Sequence, residues 1–196
     1  MTQYLIRCCY IAYLSVAKMK MNLIKKILLV FFTILTVLFI LSVFLPSEYS
    51  IVRTSNVDCE RDSVYKYLTD IDKLDDWFYI TKRLDSTIVY KFNHDVQDGK
   101  YSVEWNGELM GQGMFQYTHF VENELIEFTL SFQNNSVTKS GRINLKSNNG
   151  GTEIKWTDYG ENGWNPVNRI FGLFIDGFLG PDMEKSLEKI KINLGC

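Results

Sequence analysis

Two histidines, His94 and His119, and four cysteines are all that 196 residues carry of the commonest metal-ligating side chains. No HxxxH or CxxC spacing surrounds them, which removes the usual zinc and thiol-redox constellations. No strand–GxGxxG–helix or Walker pattern exists either, so Gly107, Gly111 and Gly113 read as hairpin and strand-bending residues rather than a phosphate cradle. Proline is confined to Pro46, Pro166 and Pro181, and no Pro/Ser/Gly linker, repeat or low-complexity run divides the chain after residue 47. Basic excess is missing as well. From Glu48 onward there are 16 basic and 23 acidic residues, a net of −7, which argues against a nucleic-acid partner and against tight docking on anionic headgroups. In that region the cysteines are Cys59 and Cys196 alone. One bridge would be far from a disulfide framework, and they read as two unpaired small residues.

Charge is absent altogether from Ile27 to Leu45, nineteen residues reading ILLVFFTILTVLFILSVFL. At about 1.5 Å per residue a helix of that length covers roughly 28 Å, close to the hydrocarbon thickness of a bilayer. Thr33, Thr36 and Ser42 are its polar residues, and their hydroxyls can bond back to helix carbonyls. Five basic residues and no acid precede it (Arg7, Lys18, Lys20, Lys25 and Lys26), which predicts a cytoplasmic N-terminus and an extracytoplasmic domain at the cell membrane, single-pass. A cleaved signal peptide competes with that reading, but Ser42-Val43-Phe44 lacks the small-x-small cleavage pattern, so an uncleaved anchor is favoured. Residues 1–26 form a basic N-terminal segment, and a translation start at Met19 or Met21 is its simplest account. The organisation expected is 1–26 basic segment, 27–45 transmembrane helix and 47–196 one globular domain.

Within the domain, Tyr49–Val57 reads as a strand and Asp58–Leu68 as the start of helix, followed by a further turn over Asp70–Trp77. Period-two alternation then takes over. Ile88/Tyr90/Phe92, Tyr101/Val103/Trp105, Phe115/Tyr117/His119, Ile126/Phe128/Leu130/Phe132, Val137/Ile143/Leu145 and Ile154/Trp156 each share one face of a strand. Gln97-Asp98-Gly99, Asn106-Gly107, Glu122-Asn123, Asn134-Asn135 and Asn148-Asn149-Gly150-Gly151 are the turn signals between them. Pro166–Leu194 reads as a long C-terminal helical stretch with a kink or break near Gly180, and Ile170, Phe171, Phe174, Ile175 and Phe178 form its aromatic face. The expected fold class is α+β: a curved antiparallel sheet wrapped around a long C-terminal helix, preceded by one transmembrane helix.

That order, with the local sequences Tyr49–Leu68, Asp76-Trp77, Gly107–Gly113, Gly151-Thr152-Glu153-Ile154-Lys155-Trp156 and Asp176–Leu187, resembles the START-like (SRPBCC) superfamily, in particular its bacterial polyketide cyclase/dehydrase branch and the membrane-anchored members of it. The resemblance covers about 150 positions. It implies a helix-grip fold enclosing a hydrophobic cavity between sheet and C-terminal helix, and it implies far less about chemistry, because the superfamily includes lipid carriers, quinone binders and cyclases.

Convergent acid, base and nucleophile groups are few. His119 shares a parity with Phe115 and Tyr117 and is a candidate acid or base, although an exposed or satisfied sheet histidine is the favoured reading. Asp158 lies on the Ile154/Trp156 parity, where burial would raise its pKa; a strand ending before Gly160 would leave it in water, and that reading is preferred. His94-Asp95 reads as a solvated loop pair, and Asp70, Asp72, Asp75 and Asp76 as a solvated acidic turn lacking an EF-hand's glycine and terminal glutamate. No metal and no cofactor are expected. Aromatic residues dominate instead. Trp77, Trp105, Phe128, Phe132, Trp156, Trp164, Phe171, Phe174 and Phe178 fall on predicted inward faces, with Gln116, His119, Asn106, Asp158 and Asn165 as candidate polar anchors. The function expected is membrane-anchored binding of a small hydrophobic ligand (lipid, isoprenoid-quinone or polyketide-like) in a cavity between sheet and helix. The alternatives are a cyclase/dehydratase-type enzyme using His119 and Asp158, and a non-catalytic protein-interaction module marked by an exposed apolar patch. Of the three, sequestration without catalysis is favoured.

Overall fold

The computed structural model describes the backbone of residues 2–79, 85–94, 101–132 and 137–196, and the side chains of the same residues except 2–22 and 137. Asp95, both predicted turns Gln97-Asp98-Gly99 and Asn134-Asn135, and the side chain of Val137 lie outside the described residues. The chain forms two units, 1–45 and 46–196.

The first unit is one helix, α1 (Thr2–Val43). Within it Leu23–Val43 is long and apolar enough to cross a membrane. Thr33 and Thr36 donate to the carbonyls of Leu29 and Phe32 at 2.8 Å each, and Ser42 donates to Phe39 O at 2.6 Å, so the polar side chains of the run are satisfied within the helix.

The second unit is a seven-stranded antiparallel sheet, β1 (Glu48–Val57), β2 (Val89–Asn93), β3 (Ser102–Gly107), β4 (Gly111–Val121), β5 (Leu125–Phe132), β6 (Val137–Asn148) and β7 (Gly151–Glu161), in the order β1-β7-β6-β5-β4-β3-β2. After β1 come α2 (Arg61–Thr69), a 3₁₀ turn (Ile71–Lys73) and α3 (Leu74–Trp77); after β7 come α4 (Pro166–Gly172) and α5 (Ile175–Leu194). This is the α+β antiparallel sheet with a terminal helix that the alternation implied, and the helix-grip arrangement that the resemblance implied. Helices α2, α3 and α5 cover one face of the sheet, where Trp77, Phe78, Phe115, Phe128 and Trp156 interlock at ring separations of 4.7–6.4 Å. Gly141 on β6 exists for this packing: a Cβ there would sit 2.2 Å from the Phe128 ring. At the β3–β4 hairpin the buried Asp85 carboxylate accepts from the backbone N–H groups of Thr87, Leu109 and Met110. The Thr87 side chain and these amides hold its pKa well below the usual carboxylate range.

Four sequence expectations change here. The C-terminal stretch breaks at Leu173–Phe174, not near Gly180; the N–H groups of Leu173 and Phe174 bond to the carbonyls of Ile170 and Phe171 in 3₁₀ fashion, and Pro181 lies inside α5. Gly180 serves a different purpose, since a Cβ there would lie 2.0 Å from the Arg53 guanidinium. That guanidinium bridges Asp176 at 2.8 Å and Glu184 at 2.7 Å, fastening α5 along β1. Cys59 and Cys196 are joined in a disulfide, with Cα atoms 5.6 Å apart, because α5 ends beside the loop that follows β1. The third change is in β4, whose register shifts between Tyr117 and His119. Past that bulge Phe120 takes the inward position against Tyr117, so His119 leaves the face of Phe115 and Tyr117 and is exposed, the reading favoured for it above. Finally, Trp164, Phe171, Phe174 and Phe178 face outward instead of into the core.

Candidate functional site

Inward positions of β1, β7 and β6 are set by their mutual register, Ile51 opposite Asp158 and Asp158 opposite Gly141. Strand β7 continues through Glu161, so Asp158 keeps the parity of Ile154 and Trp156 and is 2 % exposed. The reading that left it in water is corrected by that extra length of strand. Tyr49, two residues before the buried Ile51, donates its hydroxyl to Asp158 Oδ1 at 3.1 Å. Lys139 has the inward parity of Gly141 and Ile143, and its Nζ lies 5.8 Å from the centre of the Tyr49 ring. Three polar side chains therefore gather on the inward side of β1, β7 and β6, at the end where the domain begins, with Asp158 buried and Tyr49 and Lys139 half-buried.

Their electrostatics follow from burial. Desolvation raises the Asp158 carboxyl to about 6, opposed by the Lys139 charge and the Tyr49 hydrogen bond. Burial also raises the Tyr49 phenol, with the Asp158 charge adding to the effect. Lys139 is pushed down by burial and pulled back by Asp158. A carboxyl poised near 6 can take or give a proton close to neutrality, and a neutral one can donate a hydrogen bond to a carbonyl.

Tyr49 also walls a cleft of about 190 Å³ between β1 and the α4–α5 corner, together with Ile51, Arg169, Leu173, Ile175 and Asp176. Small-molecule sites usually enclose about 300–1,000 Å³. Arg169 is itself buried, donating Nε to Gly163 O at 2.7 Å. Asn165 caps α4, accepting from Val167 N at 2.9 Å.

The remaining sequence candidates scatter. Trp77, Trp105, Phe128 and Trp156 are buried core, and Phe132 packs edge-on to Trp105 at 5.5 Å. The indole Nε1 atoms of Trp77, Trp105 and Trp156 are buried and meet no hydrogen-bond partner among the described residues. Gln116 pairs with Ser102 on β3 and Thr129 on β5, on the face opposite Phe115. Asn106 lines an open groove of about 860 Å³ on that outer face, beside Lys91 and Glu104. Asp70 caps the 3₁₀ turn and Asp72 pairs with His94 at 3.3 Å. Among the described residues no group of three or more His, Cys, Asp or Glu side chains is placed to hold a metal. Tyr49 and Lys139 were not singled out from the sequence. Lys139 carried a usable signal, a charged residue on the apolar parity of β6.

Residues 58–170 match the family described as Activator of Hsp90 ATPase homolog 1-like protein, more than half of the chain. The chain belongs to that family. The resemblance read in the sequence therefore holds for a START-like domain. No curated protein matches the chain. Among solved structures, a protein from Arthrobacter aurescens is 14% identical with a TM-score of 0.54, covering 74% of this chain and 86% of its own. A Rhodobacter sphaeroides protein is 12% identical at 0.53, covering 75% and 92%. The di-domain ARO/CYC BexL, from the BE-7585A biosynthetic pathway, is 10% identical at 0.55; the match covers 76% of this chain and 51% of BexL. At these identities the likeness concerns the fold.

Proposed function

We propose that this protein is a membrane-anchored START-like binding domain for a small apolar molecule carrying a carbonyl or hydroxyl group, of lipid, isoprenoid-quinone or polyketide-like type. The observation that carries the reading is the buried Asp158 carboxyl with the half-buried Tyr49 and Lys139 beside it, Tyr49 also walling the α4–α5 cleft. Apolar contact supplies affinity at about 25 cal/mol per Å² buried, and the polar group orients the ligand's oxygen. Because the cleft is small, binding displaces α4 outward. α1 serves as a single-pass anchor with the N-terminus inside. The basic residues before it support that orientation, and so does the Cys59–Cys196 disulfide, a bond favoured on the oxidising side of a membrane.

The test is native mass spectrometry of the full chain in detergent, followed by organic extraction. A released apolar species, whose rebinding weakens in Tyr49→Phe and Asp158→Ala, is expected. An empty protein whose tryptophan emission ignores lipids, quinones and polyphenols overturns the reading.

A cyclase/dehydratase-type activity is the second reading, favoured by one feature, the Asp158 carboxyl held near 6. It requires Asp158→Asn to abolish turnover of a polyketide-like substrate while leaving its binding in place. This reading does not call on His119, which is exposed on β4.

A further inference from the structure

Thirteen residues, Gly163 to Ile175, read GWNPVNRIFGLFI and contain one charge. That charge, Arg169, is buried, with its guanidinium 5.0 Å from the Trp164 ring. Around it the apolar side chains are turned to the outside: Trp164 is 83% exposed, Val167 70%, Phe171 51% and Phe174 61%. Phe178, 55% exposed, stacks on Phe171 with ring centres 5.5 Å apart. Contiguous exposed aromatic surface of this kind marks an interaction site, because leaving it in water is unfavourable.

The position of the patch says what covers it. Asn162, next to this segment, donates its backbone N–H to Ser47 O at 2.6 Å, and the α4–α5 corner lines one cleft with Pro46 and Glu48. The patch thus adjoins the first residues of the domain. Only Phe44 and Leu45 separate Pro46 from the end of α1 at Val43. At about 3.3–3.6 Å per extended residue, that link reaches roughly 10 Å. A span seated in a bilayer therefore holds Pro46 in or beside the headgroup layer. A tryptophan, three phenylalanines and amide-bearing Asn162 and Asn165 form the composition favoured at that depth, and with Arg169 buried and Asp176 neutralised by Arg53 at 2.8 Å it suits zwitterionic lipid.

We propose that Trp164, Val167, Phe171, Phe174 and Phe178 insert into the lipid interface, seating the α4–α5 corner and its cleft on the bilayer. This rests on the reading of α1 as a membrane span. It goes beyond a passive tether, since the domain then has a fixed face toward the lipid and a route by which an apolar molecule passes from bilayer to cleft.

The full chain is reconstituted in phosphatidylcholine nanodiscs with and without brominated acyl chains, and the emission of Trp164 is isolated by difference from Trp164→Phe. The other three tryptophans are buried, so the difference reports this site alone. Trp164 emission is expected to shift to the blue and to be quenched by bromolipid, and the triple variant Phe171→Ser, Phe174→Ser, Phe178→Ser to lose that quenching with its near-ultraviolet dichroism intact. If α1 is protected from protease while Trp164 remains unquenched and open to aqueous acrylamide, lipid docking is wrong and the span stands. Crosslinking of the patch to a co-purifying protein from a photoreactive phenylalanine analogue placed at Phe171, with Trp164 unquenched, assigns the surface to a protein partner and also overturns the proposal. Failure of the chain to incorporate into discs refutes both docking and span.

Discussion

Replacing Asp158 by asparagine isolates the buried carboxylate while keeping an acceptor for the Tyr49 hydroxyl. In the folded chain this carboxyl titrates at about 6, against an ordinary 3.8, because burial penalises the charged form. The folded state therefore binds the proton more tightly than the unfolded one. Stability from this group is fully present below the unfolded value and is lost as pH rises through the folded one. The interval from 3.8 to about 6 corresponds to roughly 3 kcal/mol. The asparagine side chain does not titrate, so the wild-type stability minus that of Asp158→Asn should fall by roughly that amount between pH 4 and pH 7. Most other carboxylates cancel in the difference. Urea unfolding of the full chain in a non-ionic detergent, followed by tryptophan emission at several pH values, gives the curve. A difference that is flat with pH, or that grows toward alkaline pH, refutes the burial and charge environment argued for Asp158.

Reduction of the Cys59–Cys196 disulfide, or Cys59→Ser, opens a closure of 137 residues in sequence, worth up to about 5 kcal/mol in the chain-entropy picture and more commonly 2–4. Denaturation midpoints with and without reductant check it, and identical midpoints would show that the bond does not form. Gly141→Ala places a methyl group 2.2 Å from the Phe128 ring and should cost about 1–3 kcal/mol by overpacking, read from the same unfolding curves. His119→Ala, at an exposed position past the bulge, should leave both stability and ligand retention unchanged to within about 0.5 kcal/mol. A marked loss of retention in that variant would return His119 to the site.

Alternation carried most of the fold. The inward rows Phe128/Leu130 and Ile154/Trp156 lie where their parity put them, because a half-buried strand has only two faces to offer. Parity failed at His119 for a physical reason: Tyr117-Thr118-His119 alternates perfectly as text, and the inserted residue of a bulge leaves no local mark. The aromatic stripe of Ile170–Phe178 shows a different limit. Helical spacing reveals that the residues share a side, yet core, lipid and partner all demand the same apolar chemistry. The disulfide was illegible because Cys59 and Cys196 meet only through the run of α5 along β1, a tertiary fact. Of the candidate site, Asp158 could be named from its strand. Its partners could not, since Tyr49 is brought to it across 109 residues of chain.

The domain is fastened unevenly, and the unevenness bears on how a ligand could reach Asp158. At the end where β1 finishes, the Cys59–Cys196 bond closes the chain, Tyr117 donates its hydroxyl to Leu68 O, and Asn193 ties α5 to Tyr67 at 3.0 Å. Tyr79 N adds a bond to the buried Ser186 at 3.0 Å. At the opposite end, where β1 begins, α5 is held by the ion pairs of Arg53 with Asp176 and Glu184, whose acidic side chains are more than half exposed. Exposed pairs are worth about 0.2–1 kcal/mol each. Helix α4, seven residues long with Phe171 outside, adds little burial. Local opening therefore costs least at the corner that lines the cleft with Tyr49. The same corner carries the exposed aromatic patch and adjoins Pro46 to Glu48, the first residues of the domain. Under the lipid docking proposed above, a molecule dissolved in the bilayer would meet that edge of the fold first, with Tyr49 on the cleft wall and Asp158 hydrogen-bonded behind it.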